Sequence, residues 1–212
     1  MLPLSSRVRP HMATTWAFPP SSIPDLAVID LVPDGGDKLQ EFFEVNPFYF
    51  LAVHGQPAQP REAHEEIAED PPSGWPFTRK YVLGYQGPDG HLAAMAHVIS
   101  DLLAKGVWHV ATFIVETARH GTGDSQALYQ SLENWAKDQG AQWMRLGVVQ
   151  GHTRAESFWL ARGYRQVASR QGVEMGLKVN DLRVMVKPLH NQALSEYYAI
   201  VERDRPPSTN AA

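Results

Sequence analysis

The 212-residue sequence contains no cysteine, so disulfide bonds, thiolate metal sites and a covalent cysteine intermediate are excluded. It also contains no uninterrupted run of about 18 apolar residues, which a membrane-spanning helix needs. The arginines near the N-terminus are not followed by the apolar stretch of a secretory signal. We therefore expect a cytoplasmic protein that does not bind membranes.

Clusters of basic residues are absent too, and the formal net charge is −4. Nucleic acid is therefore not expected as a main partner. The nine histidines include neither an HExxH motif nor another ligand spacing, which predicts no metal site. The hydrophobic content of 43% and the length together predict one domain with a substantial core.

The composition changes along the chain and suggests four segments. Residues 1–24 are rich in proline, serine and threonine, and we interpret them as a flexible arm. Residues 25–189 form the main domain. Residues 190–203 carry apolar side chains at i, i+3, i+4 and i+7, which predicts an amphipathic helix that covers a sheet edge or binds a second subunit in a homodimer. The tail at residues 204–212 is expected to be disordered.

Hydrophobic periodicity and turn signals predict the elements of the main domain. The expected strands are Leu26–Val32, Arg79–Gln86, Leu92–Leu102, Val107–Val115, Ala141–Val149, Arg165–Ser169 and Lys178–Val186. The expected helices are Asp37–Glu44, Arg61–Glu69, Gly123–Gln139 and a short one after His152. The helix at Arg61–Glu69 is acidic, and we interpret its glutamates as a solvated face. This order predicts an α/β fold with a mixed sheet of six or seven strands and about four helices.

A glycine-bearing turn, His120-Gly121-Thr122-Gly123, connects a buried strand to the longest predicted helix. The first N–H groups of a helix have no internal partner, and the helix dipole adds positive charge there, so such a turn can hold phosphate. It lacks the GK[ST] sequence of a P-loop and the third glycine of a dinucleotide fingerprint. A GxG motif alone is weak evidence for phosphate binding, so the assignment depends on the neighbouring sequence.

Two motifs in order make the chain resemble the GCN5-related N-acetyltransferase family. Ala118 to Gly123 is similar to the family pattern [QR]xxGx[GA], and His152 to Tyr164 is similar to NxxAxxxYxxxGF. The resemblance extends from about Ala27 to Leu189. Ala118 replaces the family's Gln or Arg, His152 its Asn, and Trp159 its Tyr.

The resemblance implies an acyl-CoA N-acyltransferase fold, with the sheet splayed between its two central parallel strands. It implies acetyl-CoA as cosubstrate, with the loop amides on the pyrophosphate and the main chain at Phe113 and Val115 pairing with pantetheine. The cofactor-binding residues implied in this way are Phe113, Val115, His120, Gly121, Thr122, Gly123, Asp124, Ser125 and His152.

The implied reaction is transfer of acetyl to a primary amine of a small molecule or peptide, by direct attack in a ternary complex. The N–H of Val115 would polarise the acetyl carbonyl. Trp159 stands in the place of the family's tyrosine but cannot act as an acid. A base is needed to deprotonate the amine, and Glu116 is our first candidate, with His109 and Asp101 behind it.

Acceptor binding, again by resemblance, would involve the region of Asn46, Tyr49 and Phe50. One alternative from a different function class stays open. The changes at Ala118 and Trp159 are also compatible with a catalytically quiet module that binds or senses acyl-CoA. Turnover of acetyl-CoA would distinguish the two.

Overall fold

The computed structural model describes residues 18–206, in which the chain forms seven strands and six α-helices. The strands are β1 (Ala27–Asp30), β2 (Arg79–Gln86), β3 (Leu92–Ser100), β4 (Val107–Val115), β5 (Trp143–Val149), β6 (Arg165–Met175) and β7 (Lys178–Pro188). The helices are α1 (Gly36–Val45), α2 (Phe48–Val53), α3 (Glu62–Ala68), α4 (Asp124–Asp138), α5 (Thr153–Ala161) and α6 (Leu194–Ile200). The predicted α/β class and mixed sheet are confirmed.

All seven strands belong to one sheet in the order β1-β2-β3-β4-β5-β7-β6. Only β4 and β5 run parallel, and every other neighbouring pair is antiparallel. A parallel pair needs a crossover connection, which α4 provides. The glycine turn at residues 120–123 therefore lies at the carboxyl end of the central strand.

Two local predictions differ from the structure. The aromatic stretch after Asn46 forms the helix α2, because Pro47 precedes it with helical φ and its apolar residues bury one side at Phe50 and Val53. The last hairpin is longer than expected: β6 continues to Met175 and β7 to Pro188. None of their extra residues is fully buried, and polar and apolar side chains are mixed among them, so hydrophobic periodicity could not indicate them.

The parallel pairing of β4 and β5 covers only part of their length. It begins at Val107 opposite Trp143 and ends at Val110 opposite Leu146. At this point the β3–β4 register shifts, with His97 opposite Thr112 and Val98 opposite Val110, so Ala111 is an extra residue in β4. Such a bulge bends its strand. Beyond it β4 stays paired to β3 and β5 to β7, and a gap opens between β4 and β5.

The main chain of β4 beyond the bulge faces this gap. The N–H of Glu116 donates to the carbonyl of Ala93 at 2.9 Å. Because hydrogen-bonded and non-hydrogen-bonded pairs alternate in an antiparallel ladder, the polar groups of Val115 and Phe113 point away from β3. The family resemblance implies that pantetheine pairs with the main chain at these two residues.

The core lies on both faces of the sheet. On one face, side chains of α4 such as Leu128, Leu132 and Trp135 pack against β2, β3 and β4. On the other face, α1 and α3 cover the first strands, and α6 covers β5 and β7 through Tyr197. The helix predicted at residues 190–203 thus covers the sheet within the same chain.

The predicted terminal segments differ from the structure where they can be compared. Phe18 and Ile23, assigned to the arm, pack against the core, and Ser131 of α4 donates a hydrogen bond to the carbonyl of Pro20. Asp204, assigned to the tail, is fully buried and pairs with Arg145. The rest of both predicted segments, residues 1–17 and 207–212, lies outside the described residues.

Candidate active site

The turn before α4 depends on its two glycines. Gly121 has φ of +85° and Gly123, the N-cap residue, has φ of +98°. This left-handed region strains residues with a Cβ, so glycine is the suitable residue at both positions. No heavy atom lies within 4 Å of a Cβ built on either one, which means that the turn is open on its outer side.

Several amides of this turn are available to a ligand. The N–H groups of Gly121, Thr122, Gly123 and Ser125 make no hydrogen bond to any of the described residues, whereas that of His120 donates to Thr117. They lie at the positive end of a helix of 15 residues. The turn therefore presents unpaired donors to an anion.

A cavity of about 360 Å³ opens beside the turn. Its walls are the end of β4, the turn, one face of α5 and the segment where α1 meets α2. Of the predicted site residues, the following line it: Asn46, Tyr49, Phe113, Val115, His120, Gly121, Gly123, Ser125, His152 and Trp159. The glycine turn and the part of β4 that is not paired with β5 thus line one site.

One face of α5 forms a wall of the cavity. Ala155, Phe158, Trp159 and Arg162 recur at i, i+3, i+4 and i+7 and all line it. The Arg162 guanidinium lies 3.4 Å from the centre of the Phe158 ring and donates to the Phe158 carbonyl at 2.7 Å. Sequence analysis missed Phe158 and Arg162, although the helical spacing from Trp159 could have indicated them.

Four predicted residues do not line the cavity. Phe50 is only 2% exposed and packs against Phe43 in the core. Thr122 donates from its hydroxyl to the Arg119 carbonyl. Glu116 and Asp124 both bind Arg119, at 2.5 and 3.0 Å. The Asp124 carboxylate beside the turn is therefore neutralised by a cation.

Asp101 and His109, the other two candidates for the general base, do not line the cavity either. Asp101 accepts the N–H of Gly106 at 2.7 Å and the hydroxyl of Thr78 at 2.8 Å, so it orders the β3–β4 loop. The His109 ring lies 3.3 Å from Arg145. Burial and the nearby Arg145 lower the pKa of His109 well below its usual value.

Behind the cavity lies a polar cluster that the sequence analysis did not predict. Glu66 accepts hydrogen bonds from His97 at 2.7 Å and from Thr112 at 2.8 Å, so the interpretation of the acidic helix as solvated is wrong for this residue. Burial, with a smaller effect of Glu66, raises the pKa of Tyr49. Tyr49 is therefore a neutral phenol in the cavity wall near neutral pH.

Asn46 has a structural role besides lining the cavity. Its side-chain amide donates to the Phe42 carbonyl at 2.9 Å, and its side-chain oxygen accepts the Thr117 N–H at 2.9 Å. It therefore joins the end of α1 to the segment after β4. The exposed residue of this wall is Phe48, at 63%.

Two histidine rings face the cavity. His120 Nε2 lies 2.9 Å from the Val115 carbonyl oxygen, and its Nδ1 is buried without a hydrogen-bond partner among the described residues. His152 is the N-cap residue of α5. Burial, followed by the charge of Arg154, lowers the pKa of His152.

The charges and donors of the site fit a diphosphate. Arg154 and Arg162 line the cavity, and none of its lining residues carries a carboxylate. The unpaired amides of the turn add donors at the end of α4, and anions are favoured at such helix ends. A strand edge continues from the turn along β4, with the main-chain groups of Phe113 and the N–H of Val115 facing away from β3, while the Val115 carbonyl accepts from His120. These features suit a long ligand with an anionic end and amide groups along its length.

A mixed sheet whose central parallel strands diverge beside a glycine turn that opens a helix is the architecture of the acyl-CoA N-acyltransferases. The sequence profile of the Acetyltransferase (GNAT) family matches residues 39–164. The chain belongs to this family and is an acyltransferase, as its sequence motifs predict. GNAT enzymes transfer acetyl to amines, and the family generally uses acetyl-CoA.

Solved structures agree with the fold. The ribosomal-protein-S18-alanine N-acetyltransferase of Escherichia coli is 13% identical, with a TM-score of 0.58 over 79% of this chain and 96% of that one. A GCN5-related N-acetyltransferase from Kribbella flavida is 21% identical, with a TM-score of 0.55 over 78% and 98%. An acetyltransferase from Thermus thermophilus is 18% identical, with a TM-score of 0.58 over 77% and 97%. No protein with a curated function matches the chain at the sequence level.

Residues 18–206 contain neither a membrane span nor a metal-binding cluster. No helix in this part of the chain is long and apolar enough to cross a membrane. No group of three or more His, Asp or Glu side chains there is arranged to hold a metal ion.

Proposed function

We propose that this protein is an acetyl-CoA-dependent N-acetyltransferase in which a primary amine attacks the thioester directly in a ternary complex. The observation that carries the proposal is that one cavity is lined both by the glycine turn and by the end of β4 that is no longer paired with β5. A turn alone would hold only phosphate. The adjoining gap gives the acyl end of the same ligand a place in which to react.

In this proposal the amides of residues 121–125 bind the diphosphate, while Arg154 and Arg162 add positive charge. The main chain at Phe113 pairs with the pantetheine amides, and the Val115 N–H polarises the acetyl carbonyl. Holding amine and thioester in alignment supplies up to about 7–11 kcal/mol of the catalytic effect.

The acceptor enters from the side formed by Asn46, Phe48 and Tyr49. This wall offers aromatic surface and no carboxylate among the described residues that line the cavity. We therefore propose a small molecule or peptide whose primary amine is carried next to an apolar or aromatic group. The amine must arrive without its proton, because no negative charge in the wall would stabilise the ammonium form.

Paired glycine variants test coenzyme A binding. Gly123→Ala places a Cβ at φ +98° in the turn, and Gly140→Ala does the same at the other end of α4, where φ is also +98°. Both variants carry a similar backbone strain, and neither Cβ meets another atom. Calorimetry with acetyl-CoA should show about tenfold or greater loss of affinity for Gly123→Ala, which equals the loss of one charge-assisted bond.

The Gly140→Ala variant should bind acetyl-CoA like the wild type. Equal affinities of both variants, or no heat from the wild type at millimolar acetyl-CoA, would refute the proposed site. Release of free thiol from acetyl-CoA with a panel of primary amines then tests the transferase activity.

A catalytically quiet acyl-CoA-binding module is the second candidate. It is favoured by one observation: Trp159, an indole without acid function, lines the cavity where the family has a tyrosine. This candidate expects tight binding of acetyl-CoA with no thiol released above the rate without protein. The transferase expects release that depends on the amine.

A further inference from the structure

A transferase with this cavity needs a group that accepts the proton of the attacking amine. The sequence candidates Glu116, His109 and Asp101 do not line the cavity. No lining residue is an Asp or Glu, and Tyr49 is held as a neutral phenol. Among the described residues that line the cavity, the two histidines are therefore the available proton acceptors near neutral pH.

The geometry distinguishes His120 from His152. A carbonyl oxygen only accepts hydrogen bonds, so the contact of 2.9 Å from His120 Nε2 to the Val115 oxygen places the ring hydrogen on Nε2. In the neutral ring Nδ1 then carries the lone pair. That atom is buried and has no partner among the described residues. The His152 ring has no such contact with a described residue, and burial and the charge of Arg154 lower its pKa.

The position of the ring relates it to the reacting atoms. It is held on the carbonyl of Val115, the residue whose main chain faces the gap between β4 and β5. In the proposed function, the acetyl carbonyl lies at the N–H of this same residue. A base oriented by a second hydrogen bond is the usual arrangement for proton transfer at a carbonyl centre, and His120 is one of the residues that line the cavity.

We propose that the His120 side chain is a catalytic residue that moves the proton of the reaction, an inference that rests on the proposed function. The amine nitrogen forms a bond to the thioester carbon, the carbon–sulfur bond breaks, and the amine proton passes to Nδ1 of His120. The departing thiolate, whose conjugate thiol has a pKa of about 8.5, then takes that proton from the imidazolium. The products are the amide and the free thiol, and His120 returns to its neutral form.

This step explains how the site can work with Trp159 in place of a tyrosine. A tyrosine would protonate the thiolate directly, and the indole cannot. His120 passes to the thiolate the proton that it has just received from the amine, so no separate acid is needed.

The test compares His120→Gln with the wild type. Glutamine can keep the donor to the Val115 carbonyl, because its amide nitrogen takes the place of Nε2, but it cannot accept a proton. We expect acetyl-CoA affinity within threefold of the wild type and a kcat lower by about 10²–10⁴-fold. The acidic limb of the kcat profile against pH, measured at saturating amine so that ionisation of the free amine does not contribute, should disappear. If the amines of the panel give low rates, hydrolysis of acetyl-CoA is measured instead, because the attack of water on the thioester also releases a proton.

Two further variants complete the experiment. His120→Ala with added imidazole should regain part of the lost rate, which a purely structural role would not explain. His190→Gln changes an exposed histidine far from the cavity lining and should leave rate, affinity and pH profile unchanged.

Each outcome has a defined meaning. A His120→Gln enzyme that keeps its kcat within threefold and its acidic limb would overturn this proposal and leave the proposed function intact. Tighter binding of acetyl-CoA by His120→Ala with unchanged kcat would also overturn it, because the ring would then only occupy the place of the pantetheine. A wild-type protein that binds acetyl-CoA without turnover would overturn both proposals.

Discussion

Arg119 Nη1 lies 3.0 Å from Asp124 Oδ2, across the turn that opens α4. Its Nε atom lies 2.5 Å from Glu116, so one guanidinium is shared between two carboxylates beside the turn. These contacts raise the pKa of Arg119, with the hydrogen bond to Asp124 as the main cause. The site therefore tolerates an aspartate at the first position of a helix that we propose to bind a diphosphate.

Replacing Arg119 should reveal the repulsion between the Asp124 carboxylate and the diphosphate. In Arg119→Gln the Asp124 carboxylate stays unpaired near the diphosphate, and acetyl-CoA affinity should fall by about 1 kcal/mol, roughly fivefold, as for a partly exposed charge. Asp124→Asn in the same chain should restore most of the loss. Calorimetry of the two single variants and the double variant measures the coupling.

Arg205→Gln removes the same charge at an exposed position outside the cavity lining and serves as control. A double variant that binds acetyl-CoA no better than Arg119→Gln alone would show that the Asp124 charge is not the cause.

Phe48 should affect the acceptor and not the cosubstrate. Its ring is 63% exposed and lines the cavity, whereas the neighbouring Val45 is 69% exposed and does not. In Phe48→Ala we expect KM for an aromatic amine to rise by about 5- to 20-fold, the value of one lost apolar contact surface of about 1–2 kcal/mol. The affinity for acetyl-CoA should not change. Steady-state kinetics with Val45→Ala as the matched control measures this difference.

An unchanged KM in Phe48→Ala, or an equal rise in Val45→Ala, would place the acceptor elsewhere. In either case the binding of acetyl-CoA would be unaffected. The result therefore tests the acceptor wall alone.

The sequence predicted the fold well because its strongest signals are local. The buried strand before the turn, the two glycines and the long amphipathic helix each follow from periodicity and turn chemistry within a few residues. Their order then favours a parallel pair with a helical crossover. The position of the glycine turn at the carboxyl end of β4 follows from that order.

The bulge at Ala111 could not be predicted in the same way. Trp108 and Val110 face α4, and after the bulge Phe113 and Val115 face it. An uninterrupted strand would place Thr112 and Ile114 on that side. Both alternatives are apolar runs with little contrast between faces, so the pattern does not indicate where the register changes.

Contacts between segments that lie far apart in the chain also could not be predicted from the sequence. Asp204 lies among Pro and Ser residues that favour disorder, yet it meets Arg145 of the central sheet across 59 positions of the chain. The His120 ring lies on Val115 only because the turn folds back over the strand. Sequence analysis assigned His120 through its main chain and had no information on its side chain.

Removing the hydroxyl of Tyr129 should lower the free energy of unfolding more than removing that of Tyr164. Tyr129 donates to Glu133 at 3.0 Å and shares a bond of 2.6 Å with Tyr164, whose hydroxyl has no other partner among the described residues. In Tyr129→Phe the Tyr164 hydroxyl is left buried and unpaired, at a cost of about 1–3 kcal/mol. In Tyr164→Phe the Tyr129 hydroxyl keeps Glu133, and the cost should stay below about 1 kcal/mol.

Urea unfolding of the two variants, monitored by tryptophan fluorescence, measures this asymmetry. Equal losses, or a greater loss in Tyr164→Phe, would contradict the assignment of the hydrogen bonds. Each variant thus serves as the control of the other.

The ion pair of Asp204 and Arg145 should be a main contribution to stability. Asp204 is 0% exposed, and it accepts hydrogen bonds from Arg145 at 2.9 Å and Tyr197 at 2.6 Å, with Arg170 as a further partner. Asp204→Asn leaves the buried Arg145 without its counter-charge and should lower the free energy of unfolding by about 3–5 kcal/mol. Glu202→Gln, at an exposed neighbouring carboxylate, should change it little. A small effect in both variants would contradict this interpretation.

The same carboxylate should make stability depend on pH in acid. Burial alone would raise the pKa of Asp204, but the hydrogen bond and charge of Arg145, with Tyr197 and Arg170, lower it overall. Because the pKa is lower in the folded state, this contribution is complete above the unfolded value of about 3.9 and is lost as pH falls through the folded pKa. Unfolding curves between neutral pH and pH of about 2 should therefore show a steeper acid loss in the wild type than in Asp204→Asn. Parallel curves for the two proteins would mean that Asp204 has the same pKa folded and unfolded, which would contradict the pairing with Arg145.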